Sequence, residues 1–293
     1  MKTTTEALKS RRATWKITLF ALFIFLITKY TRMFIWIIKG NLMSSPYSTS
    51  ETTSFGFRKV PIESKKALVR DVFNSVASNY DLMNDLMSFG VHRLWKASLL
   101  DWLTPHPDKV LLDVAGGTGD IACRYKRRGG GPVIVCDINQ AMLEAGRSKL
   151  SEYGKLSDIT WVCGDAESLP IPDRSIDAYT IAFGLRNVTS ISKALKEARR
   201  VLRPGGRFMC LEFSHPAISA IIPAYNAYSF KILPEIGRLV TKDRDAYKYL
   251  VESIRKFPNQ KELEKCMKSV NLEKTSYRNL SGGIATIHSA WRL

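Results

Sequence analysis

The chain lacks a C-x-x-C pair, an internal repeat and an uninterrupted apolar run of membrane-spanning length. Five cysteines, at 123, 136, 163, 210 and 266, are an odd number and widely spread, which argues against a disulfide framework and against a zinc site. The thiols are expected to be reduced. Only 12 Pro and 18 Gly, with 45% apolar and 24% charged residues over 293 positions, exclude collagen, coiled coil and wholesale disorder and leave a globular chain. Acid is also scarce: 27 Asp and Glu face 44 Lys and Arg, a formal +17. Such a field attracts phosphates, in nucleic acid or in anionic lipid, and does not by itself choose between them.

The charge is unevenly placed. Before residue 51 there are eight basic residues (Lys2, Lys9, Arg11, Arg12, Lys16, Lys29, Arg32, Lys39) against Glu6 alone, so +7 of the +17 sits there. Ile17 to Ile27 and Met33 to Ile38 are mostly apolar but are separated by Thr28-Lys29-Tyr30-Thr31-Arg32, whereas a spanning helix needs roughly 20 consecutive apolar residues. A basic front, few acids and scattered Ser and Thr read as an organelle presequence, with a signal or membrane anchor and an unstructured extension as alternatives. Ser44 to Ser54 is Ser/Thr-rich and reads as a linker, which divides the chain into a leader at 1–54 and a folded domain at 55–293.

From Lys65 to Asn79 the apolar residues Leu68, Val69, Val72, Phe73, Val76 and Ala77 follow helical spacing. Strands are then expected at 110–114, 132–136, 159–163, 175–182 and 207–213, alternating with helices at 118–127, 140–150 and 190–202. Short apolar strands alternating with helices indicate an α/β protein with a mostly parallel sheet covered on both faces. Residues 217–254, rich in aromatics and interrupted by Pro223 and Pro234, read as a helical cover. Strands at 274–280 and 284–291, joined by Ser281-Gly282-Gly283, close the chain as a hairpin.

The first strand runs into Asp113-Val114-Ala115-Gly116-Gly117-Thr118-Gly119-Asp120. Glycines there let backbone pass close beneath a ligand at the carboxyl end of a sheet strand. Gly117-x-Gly119-x-x-Ala122, with Asp137 twenty residues after Gly117, also meets the loose dinucleotide pattern, so a nicotinamide dehydrogenase competes. Asp113 before the loop and a third acid in Gly164-Asp165-Ala166 shift the balance. Loop and acids together resemble the class I S-adenosylmethionine-dependent methyltransferases, Rossmann-like with a C-terminal antiparallel hairpin. That resemblance assigns Gly117, Thr118, Asp137, Asp165 and Ala166 to S-adenosyl-L-methionine.

A narrower resemblance rests on longer motifs. Tyr80-Asp81-Leu82-Met83-Asn84 followed by Ser88, His92 and Trp95, and Arg200-Val201-Leu202-Arg203-Pro204-Gly205-Gly206 running to Leu211-Glu212-Phe213-Ser214, resemble the ubiquinone/menaquinone biosynthesis C-methyltransferases. Phe183-Gly184-Leu185-Arg186-Asn187-Val188, Tyr249 to Ile254 and Gly282 to His288 are similar too, and Asn271-Leu272 departs from the family's usual Gly-Phe. The resemblance implies methyl transfer to a ring carbon of a polyprenylated methoxy-benzoquinol, with a menaquinone-type naphthoquinol as the alternative acceptor. With the leader it further implies peripheral work at the matrix side of the mitochondrial inner membrane, within a multi-protein coenzyme Q biosynthesis complex and without nucleic acid. Against a nucleic-acid methyltransferase, the fourth strand ends in Phe183-Gly184-Leu185-Arg186 instead of the Asn/Asp-Pro-Pro-aromatic pattern. A catalytically silent scaffold is the remaining competitor.

Chemistry of that kind needs a phenolate-like acceptor, and phenolic pKa values lie near 10. Arg186 and Asn187, after the fourth strand, are the candidates to stabilise the oxyanion, hold a relaying water and orient the hydroxyl, with Tyr80 as a third catalytic candidate. His92 is a possible proton acceptor, although a lone His beside a Trp is more often a packed helix residue. Asp81 is read equally well as a helix N-cap. The stretch 218–250 suits an apolar tail, or simply a cap burying its own hydrophobes.

Overall fold

The computed structural model describes residues 52–76, 85, 88, 90–152, 158–240 and 244–293. The apolar runs of the leader, the 1–51 segment and the Tyr80 to Asn84 motif lie outside the described residues.

Leu111 and Leu112 show how the sheet is built. In strand β3 (Leu111–Val114), Leu111 packs into one apolar cluster with Leu99, Leu100, Ile121 and Met209. Leu112, one step on, packs into a second cluster with Ile181, Leu195, Ala198 and Cys210. Successive side chains of a strand point to opposite faces, so a strand buried on both sides is mostly apolar, as Leu111, Leu112 and Val114 are, with the buried Asp113 the exception near the carboxyl end of β3. Each such Leu, fully removed from water, contributes about 1.5–3 kcal/mol.

Described elements before β3 are β1 (Thr52–Phe55), β2 (Arg58–Pro61), α1 (Ile62–Val76) and α2 (His92–Leu103). After it come α3 (Asp120–Arg127), β4 (Val133–Asp137), α4 (Gln140–Glu152), β5 (Ile159–Cys163), β6 (Ile176–Ala182), α5 (Ile191–Val201) and β7 (Leu202–Phe213). The helical cover comprises α6 (Ile222–Ala227), a π turn at Tyr228–Ile232, α7 (Leu233–Val240) and α8 (Arg244–Lys256). Pro223 stands second in α6, where no intrahelical N–H is lost, whereas Pro234 follows the π turn in a helical path unbroken through Leu233. The chain closes with α9 (Gln260–Ser269), β8 (Glu273–Leu280) and β9 (Ala285–Arg292). The large sheet has the order β5-β4-β3-β6-β7-β9-β8, parallel up to β7 and antiparallel through β9 and β8. The order turns back at β3, and ligands of open α/β sheets bind at such a switch point, outside the carboxyl ends of the strands.

Three features depart from the sequence reading. Thr52–Phe55 pairs antiparallel with Arg58–Pro61, so the last residues assigned to a linker form a strand, held by stacking of Phe55 on Tyr249 of α8 at 4.3 Å. Helix α3 starts at Asp120, not Thr118, because Gly117 (φ 54°) and Gly119 (φ 77°) are left-handed. Helix α9 adds an element between the cover and the closing hairpin, headed by a reciprocal capping box of Asn259 and Glu262. Asn271, which replaces the family's glycine after α9, has φ 58°, a conformation that Asn tolerates better than most residues. All five cysteines are free.

Asn259→Ala removes the cap on the N3 amide and is expected to lower unfolding free energy by about 1 kcal/mol, read from urea denaturation. An unchanged midpoint would show that the box contributes nothing.

Candidate active site

The carboxyl ends of β3, β4 and β6, together with the inner face of α1, enclose a pocket of about 1160 Å³ including its mouth. Gly117, Thr118, Asp137, Asp165, Ala166 and Asn187 all line it. Its floor is the loop after β3. A Cβ on Gly116 would stand 2.7 Å from Val135 Cγ1 and 3.0 Å from Asp113 Oδ2, so only a bare backbone fits there. Gly119 and Gly146 approach the Trp161 ring in the same way, at 2.7 and 2.5 Å for a hypothetical Cβ.

Three carboxylates surround this loop. Asp113 is buried; its Oδ1 accepts from Thr180 Oγ1 at 2.8 Å and its Oδ2 has no partner. Burial pushes its pKa up to about 7, against the pull of the Thr180 hydroxyl and of Lys96. Asp137 ends β4 and accepts from the Gly117 amide at 2.9 Å and the Asn139 amide at 2.8 Å. Burial raises its pKa, and those amides oppose the shift. Asp165 accepts from Lys66 Nζ of α1 at 2.5 Å and from the Glu167 amide at 2.9 Å. A fourth acid, Asp120, heads α3 and is paired with Lys96 Nζ at 2.8 Å. Burial would raise its pKa, but Lys96 and Arg124 hold it below the ordinary carboxylate range.

This donor set decides between the two cofactors. A pyrophosphate on the loop would find Lys96 and Arg124 already taken by Asp120, and the Asp113 carboxyl lies beneath the loop. S-adenosyl-L-methionine brings an ammonium, a sulfonium and a ribose diol, which a partnerless buried carboxylate oxygen and a strand-end Asp suit, and Ile138 and Met142 offer apolar wall to a flat ring.

The opposite rim is the turn after β6. Phe183 has φ 58° and Ala115, across from it, φ 51°, both strained for residues with a Cβ. Gly184 lies so near Ala115 that a Cβ would meet that residue's own at 2.4 Å. Arg186 ties this turn down. Its Nη1 donates to Phe183 O and, at 2.7 Å, to Glu212 Oε1, in an ion pair whose side chains are 1% and 2% exposed. The sequence reading gave Arg186 the oxyanion or a water; its guanidinium instead lies beneath the turn and is not among the pocket's lining residues. Asn187 does line the pocket, its amide fixed by Tyr249 Oη donating to Oδ1 at 3.1 Å and by Nδ2 donating to Phe183 O at 3.4 Å.

His92 is 3% exposed, shares a hydrogen bond with Ser88 Oγ at 3.0 Å, and is pushed down to about 4 by burial and Lys96. It is neutral at pH 7 and absent from the lining, which is the packed-residue reading. Trp95, of the same motif, packs edge-on to Phe213 at 5.8 Å and donates to Ser281 Oγ at 2.9 Å. Lys66, Lys96 and Asp120 escaped sequence reading. Apolar spacing locates the stripe of α1, while the polar residues flanking it carry no such signal.

Asp113 titrates higher in the folded chain than in the unfolded one, so the stabilisation linked to its proton is present below about pH 4 and is lost as pH rises through about 7. Asp113→Asn is expected to flatten that fall in a melting-temperature series from pH 4 to 8; a parallel fall in both proteins would refute it. Asp137→Ala is expected to weaken cofactor binding at least tenfold by calorimetry, and unchanged affinity would remove Asp137 from the cofactor site.

The comparisons with known proteins agree with this geometry. A model of the ubiE/COQ5 methyltransferase family matches residues 52–292. The ubiquinone/menaquinone biosynthesis C-methyltransferase UbiE of Acidiphilium cryptum is 54% identical over 246 residues, covering 84% of this chain and 99% of that one. That of Paracoccus denitrificans is 54% identical over 243 residues, covering 82% and 97%. Among solved structures, an S-adenosylmethionine-dependent methyltransferase of Thermotoga maritima, described as a possible histamine N-methyltransferase, superposes with a TM-score of 0.56 at 18% identity, covering 77% of this chain and 100% of that one. Phosphoethanolamine N-methyltransferase 2 of Haemonchus contortus, solved with S-adenosyl-L-methionine, gives 0.51 at 14% identity, covering 68% and 52%. These two show the class I methyltransferase fold alone. With a family match over nearly all the described residues and a pocket built for S-adenosyl-L-methionine, the chain belongs to the ubiE/COQ5 methyltransferase family and is an S-adenosylmethionine-dependent C-methyltransferase.

Proposed function

We propose that the chain methylates a ring carbon of a polyprenylated methoxy-benzoquinol, the reaction of a 2-methoxy-6-polyprenyl-1,4-benzoquinol methylase in ubiquinone biosynthesis. The observation that carries the reading is 54% identity across 99% of a protein named for ubiquinone/menaquinone biosynthesis. That name embraces both quinones; the basic, acid-poor extension ahead of the matched region favours ubiquinone, because a presequence of this kind directs import into an organelle. The extension is the support for a matrix-side, peripheral place on a mitochondrial inner membrane and for company in a coenzyme Q complex; the relatives compared are bacterial.

Bound S-adenosyl-L-methionine supplies an electrophilic methyl group. The protein's part is to align the acceptor carbon and favour ionisation of a ring hydroxyl. Asn187, immobilised by Tyr249 and the Phe183 carbonyl, is the lining residue placed to orient that hydroxyl. Burial raises the Tyr249 pKa, so its hydroxyl stays a donor to Asn187 and holds the amide in one orientation. Arg186 acts through the turn it holds, as a positioning residue. The apolar surface of the cover, with Phe230 and Ile222 exposed, suits a polyprenyl tail and a bilayer beside the site.

Asn187→Ala is expected to lower kcat by about 10²-fold or more with cofactor affinity unchanged; retained turnover would sink its role. In parallel assays, kcat/KM for a polyprenyl methoxy-benzoquinol is expected to exceed that for a demethyl-naphthoquinol at least tenfold, and parity or reversal would overturn the choice of acceptor.

A further inference from the structure

A second concavity lies at the other end of the sheet. Arg174 precedes β6, whereas Phe183 and Gly184 of the cofactor pocket follow it, so roughly 20 Å of strand separates the two at about 3.3 Å per residue. This open cleft, about 750 Å³ including the solvent at its mouth, lies between the C-terminal end of α5, the end of α9 and the last residues of β9. Its lining holds five cations, Arg174, Lys196, Arg199, Arg200 and Arg292, and a single acid, Asp173. That acid is already taken: Arg200 pairs with Asp173 at 2.6 Å and with Glu197 at 2.7 Å. Among the described residues the other four cations have no carboxylate partner.

A helix C-terminus attracts cations, and Arg292 answers that demand. Its Nη1 donates to the carbonyls of Arg199, Arg200 and Leu202 at 2.7, 2.9 and 2.8 Å, and it is 8% exposed. Burial, then the neighbouring Arg199 and Arg174, depress its pKa. Arg199 is braced by one bond, Nε to Asn271 O at 3.0 Å. The dipole of α5 thus accounts for Arg292 and leaves Arg174, Lys196 and Arg199 as surplus charge around a concave wall. Like charges gathered there repel one another, and a polyanion relieves them; guanidinium forks match phosphate oxygens two at a time.

We propose that this cleft binds a multiply charged phosphate group, from a soluble phosphate compound or from a phosphomonoester lipid headgroup, at a site separate from the methyl-transfer pocket. The inference stands apart from the quinol reading and does not depend on it.

The test uses the full chain, with inorganic pyrophosphate in calorimetry at low ionic strength and vesicles of phosphatidylcholine with or without phosphatidic acid in co-sedimentation. The variants are Arg174→Gln with Arg199→Gln, and separately Lys196→Gln, whose residue is an exposed helix position. Retained S-adenosyl-L-methionine affinity certifies folding. Saturable pyrophosphate binding that weakens tenfold or more in the variants supports a soluble ligand. Binding confined to phosphatidic acid vesicles and lost in the variants supports the lipid source. Absence of binding to both probes, or binding that the variants leave unchanged, overturns the proposal.

Discussion

The buried ion pair between Arg186 and Glu212 secures the stretch of backbone on which the acceptor side of the site depends. Phe183 is left-handed, Gly184 touches Ala115, and Asn187 takes its place from both. A turn under that strain persists only where its surroundings hold it. The guanidinium does so from below, donating to the Phe183 carbonyl while neutralising Glu212, whose pKa burial drives up. Taking two charges out of water costs more than an apolar pair of the same size would. What the pair provides is definition of one backbone path rather than net stability. Removing either partner strands the other as an uncompensated charge, with a loss of about 3–5 kcal/mol in such cases.

The cofactor side is organised by a different economy, that of space. Gly116 cannot bear a side chain because Val135 and Asp113 already fill the room, and this closeness buries Asp113 with one oxygen unanswered. A cation brought beside that oxygen would favour its ionised form, so loop geometry and electrostatics suit the same ligand. The two rims meet through Ala115 and Gly184, where β3 and β6, neighbours in the sheet, run out side by side.

Much of this was legible in the chain. The alternation of short, mostly apolar strands with helices gave the covered parallel sheet, because burial on both faces leaves few polar positions in β3, β4 and β6. Gly117, Thr118, Asp137, Asp165 and Ala166 were assigned to one ligand from spacing and resemblance, and one pocket gathers them. Other features were hidden for physical reasons. The β1–β2 hairpin is two four-residue strands whose stability comes from a distant Tyr249, a contact no local window contains. Arg186 follows a strand end, where exposure is the usual expectation, and its burial is decided by Glu212, 26 positions away. Lys96 and Lys66 join the site because helices α2 and α1 pack over the strand ends, and nothing in helical periodicity marks which flank faces a pocket.

The most direct measurement follows one methyl group. The full chain is incubated with S-adenosyl-L-methionine carrying a ¹³C methyl and a polyprenyl methoxy-benzoquinol, and the product is read by carbon NMR. A single labelled methyl bonded to a ring carbon is the expected result. Label on a ring oxygen, or no transfer to the quinol while cofactor remains bound, would contradict it.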